Sequence, residues 1–479
     1  MNIGVDTSVH GPGERGEIAT LLARHDRPGP RYTSYPTAVE FHEELDPGMY
    51  ERHLAAANAK SDEPLSLYVH LPFCEHRCLF CGCHVFVTQK HELASPYIDT
   101  VLQEAALLAD RLPDRRALGQ VHLGGGTPTY SSPAELDRLL TGLFQHFTRR
   151  DDAELAVEVD PRVTTRQHME VLAEHGFNRI SLGVQDFTPK VQEAIERIQS
   201  VEQTRAIVEA ARELGFGGVN VDLIYGLPYQ QSETFEQTVE EVLALGVDRS
   251  AVYSFAFVPW IRGHQKTLDP EDLPDAATKL DLFALARERF LRAGYEPIGM
   301  DHFARPDDEL ARAKREGRLR RNFQGYTVVA GDTVVGLGVS SIGDVEGGYF
   351  QNEKKLPAWR TAVESGQLPV YRGVIASPDD LLRRHVIQEL MCNTRVDVRD
   401  VEKRFDIDFR TTFAEDLARL APLVEEGLAH VDATEVRATP LGTMFLRNLA
   451  MCFDRYWRER HEGGDKPVCV VESLSRYLA

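Results

Sequence analysis

Four of the chain's seven cysteines fall within ten residues, in the stretch CEHRCLFCGC (74–83). The spacing is Cys74-x3-Cys78-x2-Cys81-x-Cys83. Cysteines this close make a poor disulfide framework, and an odd total in a long chain argues the same way. Clustered unoxidised sulfur points to metal. One reading is structural zinc, closed by four ligands drawn from these cysteines and His76 or His84, although zinc more often uses two separated Cys-x-x-Cys pairs. The other is an iron–sulfur cluster, which normally takes four thiolates. The single residue between Cys81 and Cys83 makes it hard for both to reach different irons of one cube. Three ligands and one open iron is then the natural arrangement, and an open metal position marks chemistry rather than scaffolding.

The loop follows a β-rich run, SLYVHLP (66–72), and that run opens a repeating pattern. QVHLGGGTP (120–128), ELAVEVDP (154–161), RISLGV (179–184), GVNVDLIYG (218–226) and RSAVYSF (249–255) come next, with helical stretches such as YIDTVLQEAALLADRL (97–112) and PAELDRLLTGLFQHF (133–147) between them. Strand–helix alternation with short connections implies a parallel sheet of βα units. Six such units with no glycine fingerprint after the first strand predict an α/β fold built as a partial TIM-like barrel. Side chains alternate across a strand. Leu65, Leu67, Val69 and Leu71 share one face, and the same rule puts Tyr68, Glu158, Gln185 and Asp222 on the other face of their strands. A packed barrel fills its interior with branched apolar residues. Four polar groups on four strands, mostly near the carboxyl ends, predict an interior that holds a polar ligand.

The remainder sets the frame. We expect an N-terminal arm (1–47), a barrel carrying the site (48–315), a Gly-rich extension and linker (316–375) and a mainly helical C-terminal domain (376–479). In the last, residues 417–449 read helix, short hairpin, helix, as in a winged helix. That domain carries 15 Lys and Arg against 19 Asp and Glu, so it has no basic footprint for DNA. The whole chain of 479 residues has a net charge of −20, which disfavours nucleic acid and anionic membranes but not a small anionic substrate met by local arginines. No run approaches the ~18 apolar residues of a membrane span, and the opening MNIGVDTSVHGPGERG reads as a flexible polar arm, not a secretory signal. We therefore expect a cytoplasmic protein.

Cys-x3-Cys-x2-Cys with Phe80 just before the third cysteine, placed after the first strand, resembles the signature of radical S-adenosylmethionine enzymes. YVHLPFCEHRCLFCGC, HLGGGTPTY, EVDPR, GVQDF, NVDLIYGLP, GMDHFARPDDEL, NFQGYT and GPRYTSYPTAVEF are together similar to the oxygen-independent coproporphyrinogen III oxidase (dehydrogenase) family over nearly the whole chain. The resemblance implies a partial (β/α)6 radical-SAM barrel. It implies that Cys74, Cys78 and Cys81 hold a [4Fe–4S] cluster whose free iron chelates S-adenosylmethionine. One electron then releases a 5′-deoxyadenosyl radical. That radical takes hydrogen from the propionates of coproporphyrinogen III, and loss of CO2 and an electron from each of two propionates leaves the vinyl groups of protoporphyrinogen IX, an oxidoreductase step of porphyrin and haem biosynthesis.

By the same resemblance Cys83 is required for activity without being a ligand. Tyr68, Phe80, Gly82, Gly125, Gly126, Thr127, Glu158, Gln185, Arg197, Asp222, Ala256 and Ile342 match positions that contact S-adenosylmethionine. Read alone, Arg197 in KVQEAIERIQS is a solvated surface arginine. A tetracarboxylate macrocycle calls for Arg side chains beside flat apolar surface, and Arg31, Arg262, Arg305 and Trp260 are the candidates. The implied partners are coproporphyrinogen III and an unidentified one-electron donor, with no nucleic acid and no membrane, for a monomeric enzyme. The rival is a haem-binding delivery protein on the same scaffold. Such relatives typically lack the extra cysteine and the N-terminal arm, represented here by Cys83 and PRYTSYPT.

Overall fold

The computed structural model describes residues 21, 24–25, 29–46, 48–328 and 333–462. The opening sixteen residues, expected as a flexible arm, lie outside the described residues. Each apolar–polar alternation becomes a strand of one sheet: β1 (Leu65–Leu71), β2 (Ala117–Gly125), β3 (Thr148–Val159), β4 (Arg179–Gln185), β5 (Gly218–Tyr225) and β6 (Arg249–Ser254). These six pair in parallel in chain order. Their outward side chains, among them Leu67, Val69, Val121, Leu155, Val157, Leu182, Val221 and Leu223, are buried in one core with Leu136, Leu139, Leu140 and Leu143 of the helix Pro133–His146. Burying each such side chain contributes ~1.5–3 kcal/mol. The helix starts where it does because Ser132 and Glu135 form a reciprocal capping box ahead of Pro133.

The sheet does not stop at six strands. β7 (Glu296–Ile298) and β8 (His302–Ala304) extend the β6 edge antiparallel. At the other edge β9 (Val334–Leu337) lies parallel to β1, placing Gly336 opposite Tyr68. β10 (Ile342–Val345), β11 (Gly348–Asn352) and β12 (Val370–Ile375) follow antiparallel. The stretch expected as a Gly-rich extension and linker therefore continues the barrel sheet. The strand order is linear, β12-β11-β10-β9-β1-β2-β3-β4-β5-β6-β8-β7, and no pairing among the described residues joins its ends. It is an open, partial barrel.

The C-terminal part has its own core and a three-stranded sheet of Arg395–Asp397, Glu435–Ala438 and Ala429–Val431 beside the helix Ala414–Glu425, the helix–hairpin–helix order expected from the sequence. Tyr32 and Tyr35 of the arm are buried in that core, with the Tyr32 hydroxyl donating to Asp454 at 2.9 Å. A few residues on, Phe41 stacks on Tyr349 of β11. Residues 29–46 are thus a packed strap from the C-terminal core to the sheet edge. No helix among the described residues is long and apolar enough to cross a membrane.

Candidate active site at the cysteine loop

β1 runs through Pro72 into the loop, which is pinned where it leaves and returns. Phe73–Cys74 pairs with Phe86–Val87, and the Thr127 N–H donates to the Phe73 carbonyl at 2.9 Å. The LGGGTP turn after β2 packs directly under this loop. A Cβ on Gly126 would come within 2.7 Å of the Pro72 backbone, and one on Gly125, whose φ is +114°, within 2.7 Å of the His70 ring. Only glycine lets the two chains approach so closely.

Cys74, Cys78, Cys81 and Cys83 line one cavity of about 540 Å³. Phe80, Gly125, Gly126 and Thr127 form part of its wall. Glu158, Gln185, Arg197 and Asp222 line it from the strand ends, so the polar interior positions and the sulfur loop face the same space. Tyr68 stands behind this wall: its hydroxyl meets His70 Nδ1 at 2.9 Å, and its ring lies 5.9 Å from that of His122. Gly82, Ala256 and Ile342 do not line the cavity. The Gly82 carbonyl accepts from Arg262, the Ala256 carbonyl accepts from Gln265 at 3.1 Å, and Ile342 sits on β10, two strands from Tyr68.

The electrostatics differ from group to group. Glu158 accepts from His122 Nε2 at 3.2 Å and the Gly125 N–H at 3.4 Å; these outweigh burial and hold its pKa below the usual value. Asp222 accepts from Asn220 at 2.7 Å and Ser181 at 3.2 Å, yet burial pushes it up to about 7. Burial raises the Cys74 thiol to about 12, against the nearby Thr127 hydroxyl at 3.4 Å. A hydrogen bond from Cys83 lowers the Cys81 thiol. Arg197, three residues past the end of the helix Pro189–Ala194, is 5% exposed, not the solvated arginine its segment suggests. It donates to Asp160 at 2.9 Å and to the Gly183 carbonyl at 2.6 Å, while its buried Nε has no hydrogen-bond partner among the described residues. Asp160 and Arg162, part of the EVDPR motif but given no role from sequence, join the site through that contact. Their position directly after a strand's carboxyl end was the available signal.

The candidate substrate groups separate. Arg31 pairs with Asp301 and its guanidinium lies 4.8 Å from the Tyr253 ring centre. Arg262 reaches the cysteine loop, and Trp260 nearby is 51% exposed. Arg305 donates its N–H to the Asp248 carbonyl just before β6. That is the amino end of the barrel strands, opposite the cysteine loop, so Arg305 does not belong to this site.

A single tetrahedral zinc would draw its sulfurs to about 3.8 Å of one another at Zn–S ~2.3 Å. Among the described residues the one group of three or more His, Cys, Asp or Glu ligand atoms within 4.8 Å of one another is His430, Asp432 and Glu435, outside the loop. The wider spread of the cysteine sulfurs fits a polynuclear cluster, and the open cavity beside them fits a second, polar group. Residues 68–242 match the radical SAM superfamily, and residues 376–445 match the HemN C-terminal domain. The fold and the site are those of a radical S-adenosylmethionine protein, with a [4Fe–4S] cluster and S-adenosylmethionine as cofactors.

The oxygen-independent coproporphyrinogen III oxidase of Pseudomonas aeruginosa is 43% identical over 440 residues, covering 91% of this chain and 95% of that protein. The Escherichia coli enzyme of the same name is also 43% identical over 440 residues, covering 92% and 95%. The solved structure described as coproporphyrinogen III oxidase (HemN) from Escherichia coli, a radical SAM enzyme, superposes with a TM-score of 0.87 at 42% identity over 91% of this chain and 98% of that one. The chain belongs to the oxygen-independent coproporphyrinogen III oxidase family.

Proposed function

We propose that this protein converts coproporphyrinogen III to protoporphyrinogen IX without O2, removing a hydrogen atom, CO2 and one electron from each of two propionate side chains. The observation that carries this reading is the 43% identity to enzymes of that name along nine-tenths of the chain. Cys74, Cys78 and Cys81 would hold the cluster, and the cavity beside them would hold S-adenosylmethionine. When bound, these two cofactors supply one-electron chemistry that ends in hydrogen-atom abstraction. The chain's own residues position and shield it. Glu158 and Asp222 offer carboxylates to the cofactor's ammonium and ribose hydroxyls. Gly125, Gly126 and Thr127 allow close backbone approach, and Phe80, Gln185 and Arg197 close the wall. Tyr68, Gly82, Ala256 and Ile342 contribute from the rim or from behind. Cys83 serves the reaction without ligating iron.

Anaerobic reconstitution with iron and sulfide, followed by assay of S-adenosylmethionine cleavage and CO2 release with coproporphyrinogen III, tests the proposal. Tight stoichiometric haem binding without decarboxylation would instead identify a haem-delivery protein. The reading further takes the protein as a cytoplasmic monomer that receives electrons from a separate donor and binds neither nucleic acid nor membrane.

Two narrower expectations follow from the geometry. Asp222, with its pKa raised to about 7, carries its proton below that pH and its charge above it. Affinity for cationic S-adenosylmethionine should therefore rise with pH and level off above about pH 7, by about tenfold in all for each pKa unit that binding pulls the group back down. Calorimetry on Asp222→Asn should show that dependence flattened. Arg31 stands over Tyr253 with its guanidinium on Asp301, able to turn toward an incoming carboxylate. Arg31→Ala should raise KM for coproporphyrinogen III about tenfold, the worth of ~1.5 kcal/mol in a charge-assisted hydrogen bond. An unchanged KM removes Arg31 from the substrate site.

A further inference from the structure

The sulfur of Cys78 differs from those of its neighbours in what surrounds it. Cys74 meets the neutral hydroxyl of Thr127 at 3.4 Å, and Cys81 accepts the Cys83 backbone N–H at 3.4 Å. Cys78 Sγ lies 3.5 Å from Nη2 of Arg162 and 3.6 Å from Nη1 of Arg197, so two guanidinium groups point at one sulfur. Both are fixed by Asp160. Its Oδ2 accepts from Arg162 Nη2 at 2.7 Å and Arg197 Nη1 at 2.9 Å, and its Oδ1 accepts the Arg162 backbone N–H at 3.0 Å. Asp160 itself is nearly buried, and the two guanidinium charges overcome that burial to hold its pKa down at about 2. The three side chains sum to one positive charge, placed against the sulfur of the proposed second cluster ligand.

Resting on the cluster reading above, we propose that Arg162, aimed by Asp160, is a positioning residue that hydrogen-bonds the Cys78 sulfur and raises the reduction potential of the loaded cluster. Reduction adds negative charge to a cluster, and donors and positive charge at its sulfurs stabilise the reduced form. In a poorly solvated site that stabilisation is little screened. A clamp that served the fold alone would need Arg162 to reach Asp160 and nothing more. Here the donor that reaches Asp160 Oδ2 also lies within reach of the sulfur. Arg162 is the residue to test because Arg197 already belongs to the proposed cofactor wall.

The experiment is an electron paramagnetic resonance redox titration of anaerobically reconstituted holoenzyme, with iron content measured alongside. In Arg162→Gln the ratio of reduced to oxidised cluster at a given potential should fall at least tenfold, a midpoint about 59 mV more negative for one electron. Arg162→Lys, which keeps a charge on the spot, should recover part of that shift. Equal midpoints in wild type and a fully loaded Arg162→Gln overturn the proposal, as does a lysine variant shifted as far as the glutamine variant. Should Arg162→Gln fail to load iron, the wild-type enzyme decides. With its arginines labelled with ¹⁵N, the reduced wild-type cluster should show hyperfine coupling to a guanidinium nitrogen, and its absence also overturns the proposal. Wild-type protein that takes up no iron at all overturns the cluster reading itself, a result distinct from either.

Discussion

Cys78→Ser is expected to yield a colourless protein with no iron and no decarboxylation, while Cys83→Ser stays brown and loses decarboxylation alone. Serine is close to cysteine in size, so the loop should keep its course, and the difference lies in the ligand atom. Soft thiolate holds iron–sulfur clusters, whereas a serine hydroxyl is a hard oxygen that stays protonated near neutral pH. Cys78 is buried between two guanidinium groups, so no water or neighbouring side chain readily replaces it. Cys83 is exposed at the cavity rim, and its link to Cys81 includes a backbone N–H that serine retains. Visible absorbance, iron content and CO2 release separate the outcomes. A Cys83→Ser enzyme with full activity would overturn the division of labour within the loop. A colourless, zinc-loaded wild type would overturn the cluster.

The barrel was legible because its physics is local. Leu65, Leu67, Val69 and Leu71 alternate with Tyr68 and His70, and one face meets helices while the other backs the cavity wall. Glu158, Gln185 and Asp222 could be placed on one interior from periodicity alone, and the structure brings them to a single space with the cysteines. Arg197 was not legible in the same way. Its segment reads as amphipathic helix, and what buries it is Asp160, 37 residues earlier in the chain and on another βα unit. β9 to β12 were missed for a related reason. They are strands of four to six residues, rich in glycine and polar groups, and the partner of β9 is β1, whose residue Ser66 pairs with Val334. No local pattern announces such a pairing. Arg305 failed in the opposite direction, since a suitable residue type in a family motif says nothing about which end of a barrel it faces.

Glu104→Ala should loosen this distant edge of the sheet at a cost of about 3 kcal/mol. Glu104 belongs to the helix Ala94–Arg111. It is 1% exposed, and its carboxylate accepts from the Gly338 N–H at 2.8 Å, Trp359 Nε1 at 2.9 Å and Asn352 Nδ2 at 2.6 Å. Removing it strands the Gly338 N–H and the Trp359 indole without an acceptor, at ~1–3 kcal/mol for each buried donor, and leaves a cavity between the helix and the sheet. Asn352 loses less, because it also donates to the Gly338 carbonyl at 3.0 Å. Tyr97 on the same helix supports the same joint: its hydroxyl donates to the His70 carbonyl of β1 at 2.7 Å and accepts the Val339 N–H at 3.1 Å, while its ring stacks on Trp359. Hydrogen exchange is the measurement to make, since global unfolding of a chain with several cores need not be two-state. Amides of β9 to β11 should exchange roughly a hundredfold faster in Glu104→Ala, the equivalent of ~3 kcal/mol, with β3 to β5 unaffected. Trp359→Phe, which keeps the stacked ring and removes one donor, should move the same amides far less. Uniform acceleration across the whole sheet would show that the edge is not an independent unit but part of one cooperative barrel.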